Sequence, residues 1–289
     1  MEKQQGGIAV ESIVVGTDGS WQASQAVVWA AMDAVRKRRP LHIVHCHHGS
    51  PDEGHRLLTA ARALAGEGRP ALVISTELSA DPPTVTLGAH TESAAEIVIG
   101  HRGRSWLGST GLRLAGQIPG PVVVVRDPVR NHATVLAAVD GYDISEPALE
   151  YACVTAAAHG SRLLVVEVRQ VPPGLRNPAQ AQMVRLAVAD TAARLRAAIA
   201  PWRARFSGLD ITERVIPGDR VATLVALSAE ADLAVLGSRG LNRLRSTISG
   251  SVSHGLLHHA QCPVAVVRPS AGQPARARAS TGAIEGTPP

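Results

Sequence analysis

Apolar and polar positions fall in blocks along this chain, and the blocks recur. Ser12 to Gly16 is a short, mostly apolar run that closes on Thr17 and Asp18. The next stretch, to about Arg38, carries apolar residues at helical spacing, and Ser20 is placed to cap its start. Leu41 to His45 reads as a second strand. Residues 53 to 66 read as a helix, with Leu57, Leu58, Ala61 and Leu64 on one face. Ala71 to Leu78 reads as a third strand, and Pro82 and Pro83 open a short helix to about Ser93. Glu96 to Gly100 and Pro121 to Arg126 complete a set of five strands. Strands that alternate with helices build a parallel sheet covered on both faces, and continuous Val and Ile runs suit that burial.

The order then repeats. Thr134 to Asp140 matches the first strand, and 144 to 159 the first helix. Arg162 to Val168 matches the second strand. Gln180 to Phe206 is a longer helical region, expected to be interrupted or to end near Pro201. Ile211 to Pro217, Val221 to Ala231, Leu233 to Gly237 and Pro263 to Arg268 match the remaining elements. Each copy has the length of a domain rather than of a solenoid unit, so the chain reads as two tandem doubly wound, Rossmann-like α/β domains. The expected boundaries are 1–9 for a flexible N-terminus, 10–127 for the first domain and 128–133 for a linker. The second domain spans 134–268, and 269–289 forms a disordered tail rich in Ala, Gly, Pro, Arg, Ser and Thr.

Composition narrows the class. Hydrophobic residues make up 45% of the 289, enough for packed cores, while aromatics make up only 2%. The core must therefore be aliphatic. The three cysteines, Cys46, Cys153 and Cys262, are far apart and odd in number, which argues for a reducing compartment and against a disulfide framework. The polar start at 1–7 lacks the apolar core of a signal peptide, and no run approaches the length of a membrane span. A cytoplasmic protein is expected. The net charge of +5 is spread as arginine along the chain, without the clustered charge and stacking aromatics of a nucleic-acid binder. It suits an anionic small ligand equally well.

The sharpest chemical signal lies in Ala234 to Arg268. An apolar run ends in Gly237-Ser238-Arg239-Gly240; nine residues later comes Gly250-Ser251-Val252-Ser253, then a helical segment and a last apolar run. Glycines let backbone approach a ligand closely. A helix beginning at Gly250-Ser251 offers free amides and the positive end of its dipole to phosphate. Arg239, Arg243 and Arg245 add positive charge. In a doubly wound sheet, ligands bind at the carboxyl ends of strands where the strand order reverses. Asp140 and Gly237 end the two strands that flank this point, so they should meet at one crevice. Asp140 can accept hydrogen bonds from ribose hydroxyls or an adenine amine, or it can cap the next helix.

The spacing Gly-x-x-Gly-x9-Gly-Ser, with strands on both sides, resembles the ATP-binding signature of the universal stress protein family. The resemblance covers nearly all of 8–268, in two copies. It implies an adenine nucleotide, with Mg2+ brought by it, held by Gly237, Gly240, Gly250, Ser251, Val252 and Ser253, with Arg239 at a variable motif position. It also places Ala138, Asp140 and Leu236 at the nucleotide, and Val168 at the adenine pocket through its backbone. It further implies pairing of the two halves within the chain through their last strands, or a homodimer. The first half departs from the pattern. Gly100-His101-Arg102-Gly103 is followed after only four residues by Gly108-Ser109. Its weaker candidates are Asp18, Cys46, Gly100, Gly103, Gly108 and Ser109, and it is expected to bind ATP weakly or not at all.

Other signals have plainer explanations. His45-Cys46-His47-His48 looks like a metal cluster, but alternate residues of a strand point to opposite faces. His254 and His258 are one helical turn apart without an accompanying Glu. No metal site is expected. There is no P-loop lysine, no dinucleotide Gly-x-Gly-x-x-Gly turn after either first strand and no nucleophile elbow. The expected function is an ATP-binding stress-response or signalling module rather than an enzyme. Two alternatives stay open: a slow ATPase or nucleotidyl transferase using Asp140, and an interaction module that binds no nucleotide.

Overall fold

The computed structural model describes residues 11–47, 49–101, 116, 118–126, 131–140, 146–171, 178–237 and 251–269. The first half contains β1 (Ser12–Thr17), α1 (Trp21–Lys37), β2 (Leu41–Cys46), α2 (Pro51–Gly66), β3 (Ile74–Ser79), α3 (Pro83–Ala89), β4 (Ala94–Gly100) and β5 (Gly120–Val125). The second contains β6 (Thr134–Val139), α4 (Glu146–His159), β7 (Arg162–Arg169), α5 (Pro178–Arg205), β8 (Ile211–Pro217), α6 (Arg220–Ser228), β9 (Leu233–Gly237), α7 (Ser251–His259) and β10 (Val264–Arg268). Ser20 caps α1 as expected: its Oγ accepts the Ala23 N–H at 3.3 Å. The third strand begins at Ile74, three residues later than the apolar pattern suggested.

The ten strands of the described residues join one sheet in the order β3-β2-β1-β4-β5-β10-β9-β6-β7-β8. Within each half the pairing is parallel. The halves meet where β5 and β10 run antiparallel, with Val124 opposite Val264 and Val122 opposite Val266. Alternating strand residues feed two cores. Ile13, Val15, Val123 and Val125 face α1, α2, α4 and α5, while Val14, Val122 and Val124 face α3, α6 and α7. Two arginines cross this seam in opposite directions. Arg126, just past β5, donates to the Leu257 carbonyl near the end of α7, where a cation suits the helix dipole. Arg268, the last residue of β10, donates to the Gly116 carbonyl.

One expectation fails. α5 does not break at Pro201 but continues through it to Arg205. A proline removes one helical hydrogen bond. Here Trp202 and Phe206 pack on the core beyond it, and Arg203 donates to the Ile211 carbonyl at 3.0 Å. Leu195 and Ile199 are buried in the same core before the proline, and anchoring on both sides outweighs the lost bond.

A buried polar cluster lies between α1 and α4 across the seam. Lys37 Nζ sits 2.9 Å from Asp33 and 2.7 Å from Glu96; the Tyr151 hydroxyl donates to Glu96 at 2.6 Å, and His159 Nε2 lies 2.5 Å from Asp33. Burial, with the Asp33 charge adding to it, pushes Glu96 up to about 8, although the Lys37 ammonium opposes the rise. Burial and the nearby Arg36 and Lys37 charges push His159 down to about 4, so its neutral ring donates to Asp33. Burial also opposes the Lys37 charge, but Glu96 and Asp33 outweigh it and hold the ammonium above its ordinary value. At neutral pH the cluster thus holds a protonated Glu96 beside the Lys37 ammonium.

Proton linkage gives this cluster a pH signature. Glu96 binds its proton more tightly folded than unfolded, so its stabilising share is full below 4.5 and fades as pH rises through about 8. The His159 share is present above 6.5 and lost as pH falls through about 4, so the two oppose each other at acid pH. Between about pH 6.5 and 8 the Glu96 effect stands alone, with a slope approaching about 1.4 kcal/mol per pH unit. Denaturant unfolding across that window should show stability falling with pH in the wild type, and a flatter profile in Glu96→Gln.

Candidate functional site

The site is built where strand order reverses in the second half. β6 lies between β7 and β9, and the parallel register sets Ala138 opposite Leu236. Asp140 and Gly237 therefore leave adjacent strand ends side by side. On the other flank Val139 is opposite Glu167, which brings Val168 level with Asp140. The side chains of Leu236 and Val168 are buried in the core facing α6 and α7, and Ala138 packs against it. At this level Val168 has only its backbone to offer a ligand. The crevice thus lies on the α6–α7 side, and both helices point their amino ends towards it.

Each helix start is positioned locally. Asp219 caps α6 by accepting the Ala222 N–H at 2.9 Å. Arg220 follows and reaches Asp140 at 3.7 Å; both side chains are partly exposed. This contact was missed in the sequence, where Arg220 is one more arginine in a chain full of them. The available signal was its place one residue after a Gly-Asp helix start, level with the end of β6. α7 begins at Ser251, with Val252 partly buried and Ser253 buried in its first turn. It lies very close to α6, because a Cβ at Gly255 would stand 2.4 Å from Val221 Cγ1. Gly255 therefore sets the distance between the two helix starts.

Of the expected nucleotide residues, the register thus brings together Ala138, Asp140, Val168, Leu236 and Gly237, with Ser251, Val252 and Ser253 opening the neighbouring helix. Arg239, Gly240 and Gly250 lie outside the described residues, as do the first-half candidates Gly103, Gly108 and Ser109.

The described part of the first half repeats the layout with different detail. Val15 is opposite Val98, so Asp18 and Gly100 also leave neighbouring strand ends. Asp18 is spent in the turn, where its Oδ1 accepts the Ser20 N–H at 3.0 Å. A Cβ at Gly100 would stand 2.5 Å from the Gln22 carbonyl oxygen. The close approach there is made by the first turn of α1, which gives that glycine a packing reason. At the end of β2, burial pushes the Cys46 thiol above its ordinary value, with Glu77 and Asp81 adding to the effect. The thiol stays protonated at neutral pH. His45 and His47 bind backbone carbonyls, of Thr17 at 2.8 Å and of Gly49 at 2.9 Å. His254 and His258 face each other with Nε2 atoms 3.1 Å apart.

The fold and the reversal point define a tandem α/β protein with paired strand-end crevices, and comparison with known proteins gives its family. A profile of the Universal stress protein family matches residues 10–126 and 132–268. Universal stress protein Rv2005c of Mycobacterium tuberculosis is 32% identical over 295 residues, spanning 89% of this chain and 97% of the relative. Universal stress protein Rv2623 of the same species is 31% identical over 302 residues, spanning 89% and 96%. Among solved structures, a universal stress protein from Archaeoglobus fulgidus superposes with a TM-score of 0.63 at 18% identity, covering 91% of this chain and 97% of its own. The chain belongs to the universal stress protein family. Among the described residues no helix is long and apolar enough to cross a membrane.

The close contact of α6 and α7 makes a direct test of site assembly. Gly255→Ala should destabilise the protein by about 1–3 kcal/mol through overpacking. Adding Val221→Ala should recover much of that loss in the same denaturant assay, because the clash is with that side chain.

Proposed function

We propose that the second half binds ATP at the crevice between β6 and β9, and that the protein acts as a nucleotide-dependent stress-response or signalling module. The observation that carries this reading is the register of Ala138 against Leu236, which sets Asp140 beside Gly237 at the reversal point. The Gly-x-x-Gly-x9-Gly-Ser spacing adds phosphate-binding backbone on the same flank. Asp140 accepts from the ribose hydroxyls, and Arg220 and the loop arginines balance the phosphate charge. Mg2+ enters with the nucleotide. Asp140 is engaged by Arg220 at 3.7 Å rather than held towards an attacking water. Binding and sensing therefore fit better than rapid turnover. Slow hydrolysis that Asp140→Ala abolishes while ATP stays bound would favour the enzymatic alternative.

In this reading the first half, with its shortened Gly103 to Gly108 spacing, is a partner half of weak or no ATP affinity. The domain limits 10–127 and 134–268 go with it, and the seam between β5 and β10 serves as the intrachain pairing surface. Three cysteines, none of them in a disulfide, support a reducing, cytoplasmic setting.

Nucleotide content and calorimetric ATP titration of the purified chain test the proposal, with Gly250→Asp beside the wild type. About one ATP per chain is expected, lost in the variant, because a carboxylate at that helix start repels phosphate. Two per chain would assign a working site to the first half as well. No binding by the wild type would overturn the reading and leave an interaction module.

A further inference from the structure

Three residues far apart in the sequence converge in the first half. His42 lies on β2, Glu77 on β3, and His90 caps the end of α3. The Nε2 atoms of His42 and His90 each stand 3.0 Å from the same oxygen, Glu77 Oε2. The three potential ligand atoms lie within 4.8 Å of one another. The two rings are tilted by 57° with centroids 5.0 Å apart, so both aim at one point without stacking. None of the three is deeply buried; Glu77 is the most open, with 35% of its side chain exposed, so an ion has a way in from solvent.

From this geometry we infer that His42, Glu77 and His90 form a binding site for a divalent transition-metal ion of the zinc class, independent of the nucleotide crevice. Two imidazoles and one carboxylate are a donor set that zinc accepts, leaving a fourth position for water. Zn–N bonds of about 2.0–2.1 Å require ligand atoms about 3.3 Å apart in a tetrahedron. The two His–Glu spacings of 3.0 Å reach that value with shifts of a few tenths of an ångström, and the two ring nitrogens lie within 4.8 Å of each other.

The surroundings also suit a ligand histidine. His42 Nδ1 lies 2.8 Å from Ser75 Oγ, on the paired residue of β3. When Nδ1 carries the proton and donates it to that hydroxyl, Nε2 presents its lone pair towards Glu77, which is the tautomer a metal needs. Without an ion, the same hydroxyl can donate instead, and the Nε2–H of His42 bonds the carboxylate.

The place in the fold separates this site from nucleotide chemistry. His42 sits near the amino end of β2, four residues before Cys46, a distance of about 13 Å along the strand. A bound ion would join β2, β3 and the end of α3, fixing the outer edge of the first half.

The experiment uses the full chain, freed of metal and nucleotide, titrated with Zn2+ by calorimetry and with Co2+ by visible absorption. One tight equivalent is expected, with the intense ligand-field bands of tetrahedral Co2+ and a higher Tm on saturation with Zn2+. Glu77→Gln and His90→Ala should each weaken binding at least tenfold and remove the bands. Ser75→Ala should weaken it about tenfold, as loss of an outer-shell partner does. His254→Ala should change nothing. Glu77→Gln, which keeps side-chain size, decides the matter if His90→Ala fails to fold. Absence of binding by the wild type, or binding unchanged in Glu77→Gln, would overturn the assignment. So would its loss in His254→Ala. ATP titration of Glu77→Gln should match the wild type, so a failed nucleotide reading and a failed metal reading give different results.

Discussion

The antiparallel pairing of β5 with β10 is the constraint from which the rest of the molecule follows. A strand rich in valine cannot end a sheet in water without exposing apolar side chains and unpaired amides. Here each half supplies the cover for the other. Joining these strands brings α1 beside α4 and sets Arg126 and Arg268 across the seam. It also encloses the Asp33, Lys37, Glu96, Tyr151 and His159 cluster. The cluster is shared between the halves, since Asp33, Lys37 and Glu96 come from one and Tyr151 and His159 from the other.

The same architecture governs the crevices. Reversal of strand order is a property of the chain path, so it recurs in both halves. What differs is the material at the strand ends. In the second half the crevice is flanked by two capped or glycine-spaced helix starts, with Arg220 drawn to Asp140. In the first half Asp18 is folded into its own turn, and Gly100 is closed off by the backbone of α1. The layout is shared, while the partners of the strand-end residues differ.

Much of this was legible in the residues. Continuous Val and Ile runs marked buried parallel strands, and their repetition marked two copies of one fold. The meeting of Asp140 and Gly237 followed from strand order alone, because register in a parallel sheet is fixed by the crossovers. Three things were not legible. Pro201 stays helical because tertiary contacts of Trp202 and Phe206 outweigh a local rule. The role of Gly100 needed the position of Gln22, far away in sequence. The histidines that draw attention in a row, His45 to His48, bind backbone where they are described. Those that converge, His42 and His90, are separated by 48 positions and become neighbours only through the pairing of β2 with β3 and the end of α3.

The seam between β5 and β10 has a further consequence for how the two crevices can diverge. Two separate copies of such a domain would associate only above a threshold concentration, and each copy would meet an identical partner. Tethered in one polypeptide, the halves face each other at a local concentration that dilution does not change. The partner is always the other kind. One half is therefore free to change its loop without forfeiting assembly, because neither crevice depends on finding an identical twin. The pair becomes a permanent, obligately asymmetric unit in which the two crevices need not keep the same chemistry.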